Sequence, residues 1–576
     1  MGVKFAPPKV QLEELEGLSI AQTSAGFPTS AIREDSEWNS FVQEDDYLSE
    51  NVMKKEIHWT LTGGQVPTAF NEAALRKQLS RYRTIAGYAR NTDAFEQATG
   101  MLTDCLVSEI GPIRELSRHE AVFGSDDGRL AMIPFGTSNG LGLSKLSGDL
   151  FGLVENHLDW FLYLIDEDDR RVRDASAAMW VWPTKTSLKD ARLPVEKVAT
   201  SEAQPVGKAR VFNGASKITS INGRRYIGDF IGKFMERCAK GGFIGIVSLV
   251  LARGGWHDLM KDLTDNFTRE KIYDFDIKWF DKDFIREFHF RVLLAIAMLA
   301  GKQHARNIMR HYERVAFSPT VITIFGILFY CARGMPSGDI ATVIINTLAQ
   351  LLVYMYLYCK SIPESMPELL TYNEFKNNLT LKLLGDDSTS TLNPMYEAML
   401  NRPYIDLVQE AFGEFGWTTE MPRDPPTHTT LTSDFTFVGH KCVAATVPTR
   451  TGIRTYMLPA LPFPVVLSIN EYYKLSKDRD VPEAVRFLGR YYASWERAFP
   501  YLFSKDPVEQ AYVRHAYTWL QRQKARYRDH PNEAIRKTVS GMPTLRDLVN
   551  LYFPFCVDTV EIERALIPLL LAPAQG

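Results

Sequence analysis

The chain has 576 residues, 45% of them hydrophobic and 23% charged, with a formal net charge of −3. This balance allows more than one core and excludes a disordered or globally basic protein, so any nucleic-acid site must be a local channel lined by Lys and Arg. The six cysteines (Cys105, Cys238, Cys331, Cys359, Cys442, Cys556) show no CxxC spacing, which argues against a zinc ribbon or a disulfide framework and suits a reducing compartment.

At the N-terminus, MGVKFAPPKVQ lacks an apolar core, so no secretory signal is expected, and Ala6 stands where a myristoylation pattern wants Ser or Thr. Residues 73–91, AALRKQLSRYRTIAGYARN, read as a helix whose Arg76, Lys77, Arg81, Arg83 and Arg90 face either phosphate or plain solvent. Residues 134–148, PFGTSNGLGLSKLSG, read as a loop; small residues such as Thr137, Ser138 and Gly140 would let a nucleic-acid backbone come close. A similar string, TSAGFP, occupies 23–28.

Residues 187–212 crowd Lys189, Arg192, Lys197, Lys208 and Arg210 into what reads as two short strands joined by a polar, Pro-containing loop. Fixed cations of this kind offset charge on a triphosphate and on a leaving pyrophosphate. IYDFDI, at 272–277, alternates like a strand and places Asp276 near its end; Asp281 follows where the chain turns into a helix, where a capping acid is the simpler reading. Residues 333–350, RGMPSGDIATVIINTLAQ, begin as a flexible loop around Ser337 and Gly338. They continue as a helix with Thr342 and Asn346 on one face. A polar pair on an apolar helix needs partners, either a substrate ribose or internal hydrogen bonds. The apolar run 340–358 is nearly long enough to span a bilayer, but Asn346 and Gln350 interrupt it, and a buried helix is expected.

Leu379–Leu384 reads as a strand, followed by a Gly385-Asp386-Asp387 turn and a return strand. A bare Asp-Asp turn is ordinary on a surface. Two adjacent carboxylates aimed into one cleft repel unless a cation neutralises them, and hard divalent ions want such oxygens. Residues 395–415 read as one helix, and SDFTFVGHKC (433–442) as a strand pair bending at Gly439, with His440 and Lys441 just after. Beyond Val447 the chain reads as mostly helical, and 514–528 interleaves Arg514, Arg522, Lys524, Arg526 and Arg528 with aromatic residues, either a helix whose cations track phosphates with the aromatic residues packed beneath or a plain solvated face.

In order, the chain presents KD-x₆-K with GKAR, D-x₄-D, SG-x₃-T-x₃-N, GDD and FTFVG. That order resembles the viral RNA-dependent RNA polymerases of the picornavirus-like supergroup; Ser388 after GDD, the FVG turn and the chain length look like those of partitivirus and picobirnavirus type, from double-stranded RNA viruses. The resemblance implies an α+β fold, a closed right hand whose antiparallel-sheet palm is backed by helices. The implied division is fingers with an N-terminal fingertip region over 1–270, palm over 271–310, a fingers insertion over 311–333, palm again over 334–446, and a helical thumb with the C-terminal tail over 447–576.

It further implies two Mg²⁺ ions, with Mn²⁺ as a substitute, held by Asp276, Asp386 and Asp387. The nucleotide would meet Lys189, Lys197, Lys208, Arg210, Asp281, Ser337, Thr342 and Asn346. Template and primer would meet Thr137, Ser138, Gly140, Gly338, Gly439, His440 and Lys441. The expected partners are a single-stranded RNA template, the nascent duplex, nucleoside triphosphates and a capsid protein, without a membrane span, in the virion or the host cytoplasm. Two features depart from the family pattern. Arg192 sits one place early for an arginine of some relatives, and GWTTEMPRDPP offers Arg423 where a proton-donating lysine is usual. A reverse transcriptase would carry a large apolar or aromatic residue in place of the Asp281 and Asn346 pair, and a non-catalytic RNA-binding scaffold would not need three intact aspartates.

Overall fold

The computed structural model describes residues 32–34, 38–51, 65–68, 71–80, 89–136, 139–140, 143, 147–174, 182, 184–189, 191–265, 271–316, 320–322, 327–329, 334, 338, 340–420, 435–474, 482–554 and 558–572. Thr137, Ser138, Ser337, Arg423 and the TSAGFP string lie outside them.

The elements that build the site follow in chain order. Strands β1 (Thr184–Lys189) and β2 (Arg210–Gly214) precede helix α1 (Lys217–Ala239) and strand β3 (Tyr273–Lys278). Helices α2 (Arg286–Ala297) and α3 (Thr342–Ser361) lead to the hairpin β4 (Leu379–Leu384) and β5 (Asp387–Leu392). Strands β6 (Thr418–Glu420), β7 (Thr436–Phe437), β8 (His440–Thr449) and β9 (Gly452–Ala460) precede helix α4 (Pro507–Tyr527).

The central sheet has four strands in the order β6-β3-β5-β4, all antiparallel. Its hairpin is buried on both faces, which is why LTLKLL reads as an apolar run rather than an alternating one. Helix α3 covers one face. On the other, Lys382 reaches Asp262 at 2.7 Å and is only 5% exposed, so its charge is matched. Helix α3 is the long apolar run of the sequence, and it lies inside the protein: 89% of its most apolar window is buried. The main core joins α3 to α1, α2 and the central sheet.

Two local expectations differ from the structure. The helix expected over 395–415 is two, Pro394–Met399 and Tyr404–Glu414, because Pro403 caps the second and biases the residue before it away from helix. Beyond Val447 the chain first completes a long hairpin, β8 with β9, before turning helical. In helix α4 the aromatic residues pack beneath, as expected: Tyr512 and Trp519 are core residues, in edge contact with Phe41 of the N-terminal helix Trp38–Gln43. Arg522 pairs with Glu44 at 3.2 Å, so part of the charge assigned to phosphate is spent on this contact.

Candidate active site

Asp276 and the Asp386–Asp387 pair come from distant places in the chain, and the sheet register brings them together. Phe275 pairs with Ser388, so one step along the same ladder Asp276 lies beside Asp387. On its other side Asp276 pairs with Glu420, whose carboxylate is engaged with Lys278. Leu384 pairs with Asp387, leaving Gly385 and Asp386 as a two-residue loop. Gly385 has φ of +65° while Asp386 does not enter the left-handed region, the pattern of a type II′ hairpin turn that wants glycine first.

Helix α3 grips this turn. Gly385 N–H donates to Thr347 Oγ1 at 2.9 Å, Gln350 Nε2 donates to Asp386 O at 3.1 Å, and the hydroxyls of Tyr354 and Ser388 lie 2.9 Å apart. Sequence reading missed Thr347 and Tyr354 and took Gln350 only as a break in an apolar run. The signal was available: polar side chains at i, i+3 and i+7 share one face of a helix.

Asn346, on the same helix, donates from Nδ2 to Asp281 Oδ1 at 2.6 Å, while its own Oδ1 is buried without a hydrogen-bond partner among the described residues. Asp281 is held by the short helical turn Phe280–Asp283, which starts from Trp279 in a left-handed conformation, φ 59°. A tryptophan there is strained, and the surroundings hold it in place. Lys282 sits 4.7 Å over the Trp279 ring and donates to Gln78 O at 2.9 Å. Phe280 stacks on Trp417 at 4.7 Å, and Trp417 Nε1 donates to Phe280 O at 3.3 Å. The acid sits on a buttress of packed aromatic rings.

Solvent reaches the four carboxylates, yet enough protein surrounds Asp281, Asp386 and Asp387 that lost hydration dominates the ionisation of these three. Burial first, then the charges of Asp281 and Asp276, push Asp386 up to about 6, and Arg210 partly offsets this. Burial, Asp386 and Asp276 push Asp387 up to about 7. Asp281 is also raised by burial, against the Asn346 hydrogen bond and Lys282. Carboxylates that charge only at one another's expense fit a divalent cation. Among the described residues no three His, Cys, Asp or Glu side chains are gathered closely enough to cage a cation unaided. A hard cation that keeps waters and borrows substrate phosphates does not require such a cage.

The basic segment faces this acid cluster. Lys189 pairs with Arg210 across β1 and β2, and Lys208 N–H donates to Lys197 O at 2.8 Å. Burial lowers the Lys208 pKa, with Lys197 and Arg210 adding to the effect and Asp276 and Asp386 opposing it. The ammonium of Lys208 thus feels both its basic neighbours and the carboxylates. Arg192 points elsewhere, donating to Ser468 Oγ at 3.0 Å, in keeping with its having no counterpart role.

Two glycines make room for this chain's own backbone. A Cβ on Gly338 would stand 2.1 Å from Asn213 O, and one on Gly140 2.8 Å from Ser216 Cα. Gly338 therefore lies tight against β2, and Gly140 packs on the N-terminus of α1. At both glycines the close approach seen is to this chain's own backbone. Thr342 opens α3, half-buried. Gly439 is exposed at the tip of the β7–β8 turn, where Val438 also has positive φ, 51°. A β-branched residue there is an outlier that marks a stiff, deliberately shaped turn. His440 follows, its imidazole 2.8 Å from Val438 O, with Lys441 next on β8. The turn packs beside the acid hairpin: Val438 and Leu384 border one apolar cluster that holds Phe435, Phe437 and Cys442.

The family model described as "Viral RNA-dependent RNA polymerase" matches residues 72–454. The chain belongs to that family. Its similarity extends to genome polyproteins. That of Peanut mottle virus (strain M) is 24% identical over 386 residues, 64% of this chain and 11% of the polyprotein. That of Beet mosaic virus is 23% identical over 472 residues, 80% of this chain and 13% of the polyprotein. That of Plum pox potyvirus (strain SK 68) is 24% identical over 389 residues, 65% and 11%. The chain spans roughly a tenth of the length of these curated relatives. Membership makes this chain an RNA-directed RNA polymerase, and polymerases of the family act with an RNA template, nucleoside triphosphates and divalent metal ions.

Proposed function

We propose that this polymerase replicates or transcribes a viral RNA genome by two-metal nucleotidyl transfer, with its acidic cluster as the reaction centre. The observation that carries the reading is the convergence of Asp276 and the Asp386–Asp387 turn on adjacent strands, opposite a basic strand pair. Asp276, Asp386 and Asp387 would hold Mg²⁺, or Mn²⁺ in its place. When bound, two such ions neutralise the triphosphate, activate the primer 3′ hydroxyl and stabilise the leaving pyrophosphate.

The protein groups then have separate tasks. Lys189, Lys197, Lys208 and Arg210 offset phosphate charge from the side opposite the carboxylates. Asp281, oriented by Asn346, accepts from the ribose 2′ hydroxyl, and Asn346 Oδ1 is a second acceptor without a donor among the described residues. This pair supports ribonucleotide over deoxyribonucleotide use, and so RNA synthesis over reverse transcription. Ser337, Thr342 and Gly338 belong to the loop and helix start beside the nucleotide. The Gly439–Lys441 turn suits the primer end, and the loop of Thr137, Ser138 and Gly140 suits the incoming template.

In this reading the central sheet is the palm of a closed right hand. Fingers occupy 1–270 and 311–333, palm 271–310 and 334–446, and thumb 447–576. The contacts of Phe41 and Glu44 with α4 support closure, because they tie the N-terminal segment to the C-terminal helices. Ser388 and the FVG turn support a lineage of double-stranded RNA viruses of partitivirus type, with a capsid protein as partner and the virion or host cytoplasm as the place of action. The deciding experiment is primer extension by Asp386→Asn. The change keeps size and shape and removes a carboxylate, so synthesis should fall by several orders of magnitude with thermal stability retained. Robust synthesis by the folded variant would refute the assignment.

A further inference from the structure

The turn that carries Asp386 and Asp387 is mechanically weak on its own. Gly385 offers no side chain to brace it, and the two carboxylates, with Asp276 beside them, repel one another. Left to itself, such a loop would relax by spreading its charges. Something must hold it in the geometry observed.

Helix α3 supplies that restraint through three side chains in one stripe. Thr347 Oγ1 accepts the Gly385 N–H at 2.9 Å while its hydroxyl proton goes to Val343 O at 2.7 Å, so both capacities of the hydroxyl are used. Gln350 Nε2 holds Asp386 O at 3.1 Å, and Tyr354 meets Ser388 at 2.9 Å. Thr347 and Gln350 are 1% and 0% exposed, in a helix otherwise filled with Leu, Val and Tyr. Buried polar groups at such positions cost stability unless each is paired, and Leu or Val would pack there more simply. Gln350 carries that cost visibly, because its Oε1 has no hydrogen-bond partner among the described residues.

We infer that Thr347, Gln350 and Tyr354 are positioning residues that hold the Gly385–Ser388 backbone against α3, and so fix the depth at which Asp386 and Asp387 meet a divalent cation. The inference rests on reading Asp386 as a cation-binding carboxylate. The same helix orients Asp281 through Asn346, so one rigid element sets both the cation-binding turn and the sugar-facing acid. Rigid support of this kind is what a site accurate to a fraction of an ångström needs.

The test uses Thr347→Val, which keeps shape and strands a buried N–H, and Thr347→Ser, which keeps the hydroxyl. Three quantities are measured: hydrogen exchange of the segment containing Gly385 in metal-free protein, Mn²⁺ affinity of the free enzyme by paramagnetic resonance, and steady-state nucleotide incorporation. Losing the bond is worth roughly a factor of 5 to 100, so Thr347→Val should speed exchange and lower kcat by about tenfold or more. Mn²⁺ should bind several-fold more weakly, nucleotide KM should stay near the parent's, and Thr347→Ser should restore all three. Parental exchange, Mn²⁺ affinity and kcat in Thr347→Val would overturn the inference, provided Asp386→Asn is inactive. If Asp386→Asn itself keeps parental Mn²⁺ affinity and synthesis, it is the underlying reading of Asp386 that fails. Should Thr347→Val not fold, Gln350→Met carries the same three measurements with the same expected directions.

Discussion

Replacing Asn346 by Ala isolates the sugar-reading pair. In the parent, Asn346 Nδ2 sits 2.6 Å from Asp281 Oδ1, a bond between a neutral donor and a carboxylate. Such bonds contribute about 1.5–3 kcal/mol, roughly a 10- to 150-fold effect if the whole of it is felt in the transition state for a ribonucleotide and not for its deoxy analogue. The bond also opposes the burial that raises the Asp281 pKa, so the variant's carboxyl should protonate more readily and accept less well. A site built to bond a hydroxyl rejects the analogue lacking it, because its polar groups are left unpaired. The assay is kcat/KM for GTP against dGTP on one primed template in Mg²⁺, alongside thermal unfolding. Asn346→Ala should bring the two values closer by at least tenfold, mostly through a loss for GTP. Asp281→Ala should do the same with a larger fall in overall rate. An unchanged ratio in both folded variants would refute the ribose reading and leave Asp281 as a structural partner of Asn346.

Arg210→Ala should raise nucleotide KM or slow chemistry while RNA affinity stays nearly constant, since Arg210 faces the acid turn; a collapse of template binding with unchanged nucleotide kinetics would show that the segment serves another ligand. Trp417→Ala removes the 2% exposed ring stacked under Phe280 and should cost about 3–5 kcal/mol in unfolding free energy, read from denaturant melts. Acid should destabilise the fold through His289, which burial and then Arg286 depress from 6.5 to about 4. The unfolded chain binds more protons in that window, so this stability is complete above pH 6.5 and lost as pH falls toward about 4. The shift corresponds to ~3 kcal/mol, and His289→Phe should flatten the dependence of the urea midpoint on pH.

What the sequence determined by itself is local or ordered along the chain. The apolar run of β4 and the glycine after it fixed a strand, a tight turn and two adjacent acids, and the alternation of YDFDIK fixed the strand carrying Asp276. These are properties of side-chain period and backbone freedom, and neighbours a few residues away suffice to set them. The order of the motifs identified the family for the same reason. The tertiary structure decided which groups meet. Ladder register put Asp276 beside Asp387, and the rotation of α3 about its axis chose Thr347, Gln350 and Tyr354 to hold the turn and Asn346 to hold Asp281. It also turned Gly140 and Gly338 into contacts between stretches of this chain's own backbone, and engaged Arg522 with Glu44. Each of these depends on a partner far away in sequence. A polar residue on an apolar helix announces only that it needs a partner; which one it finds is set when the elements pack.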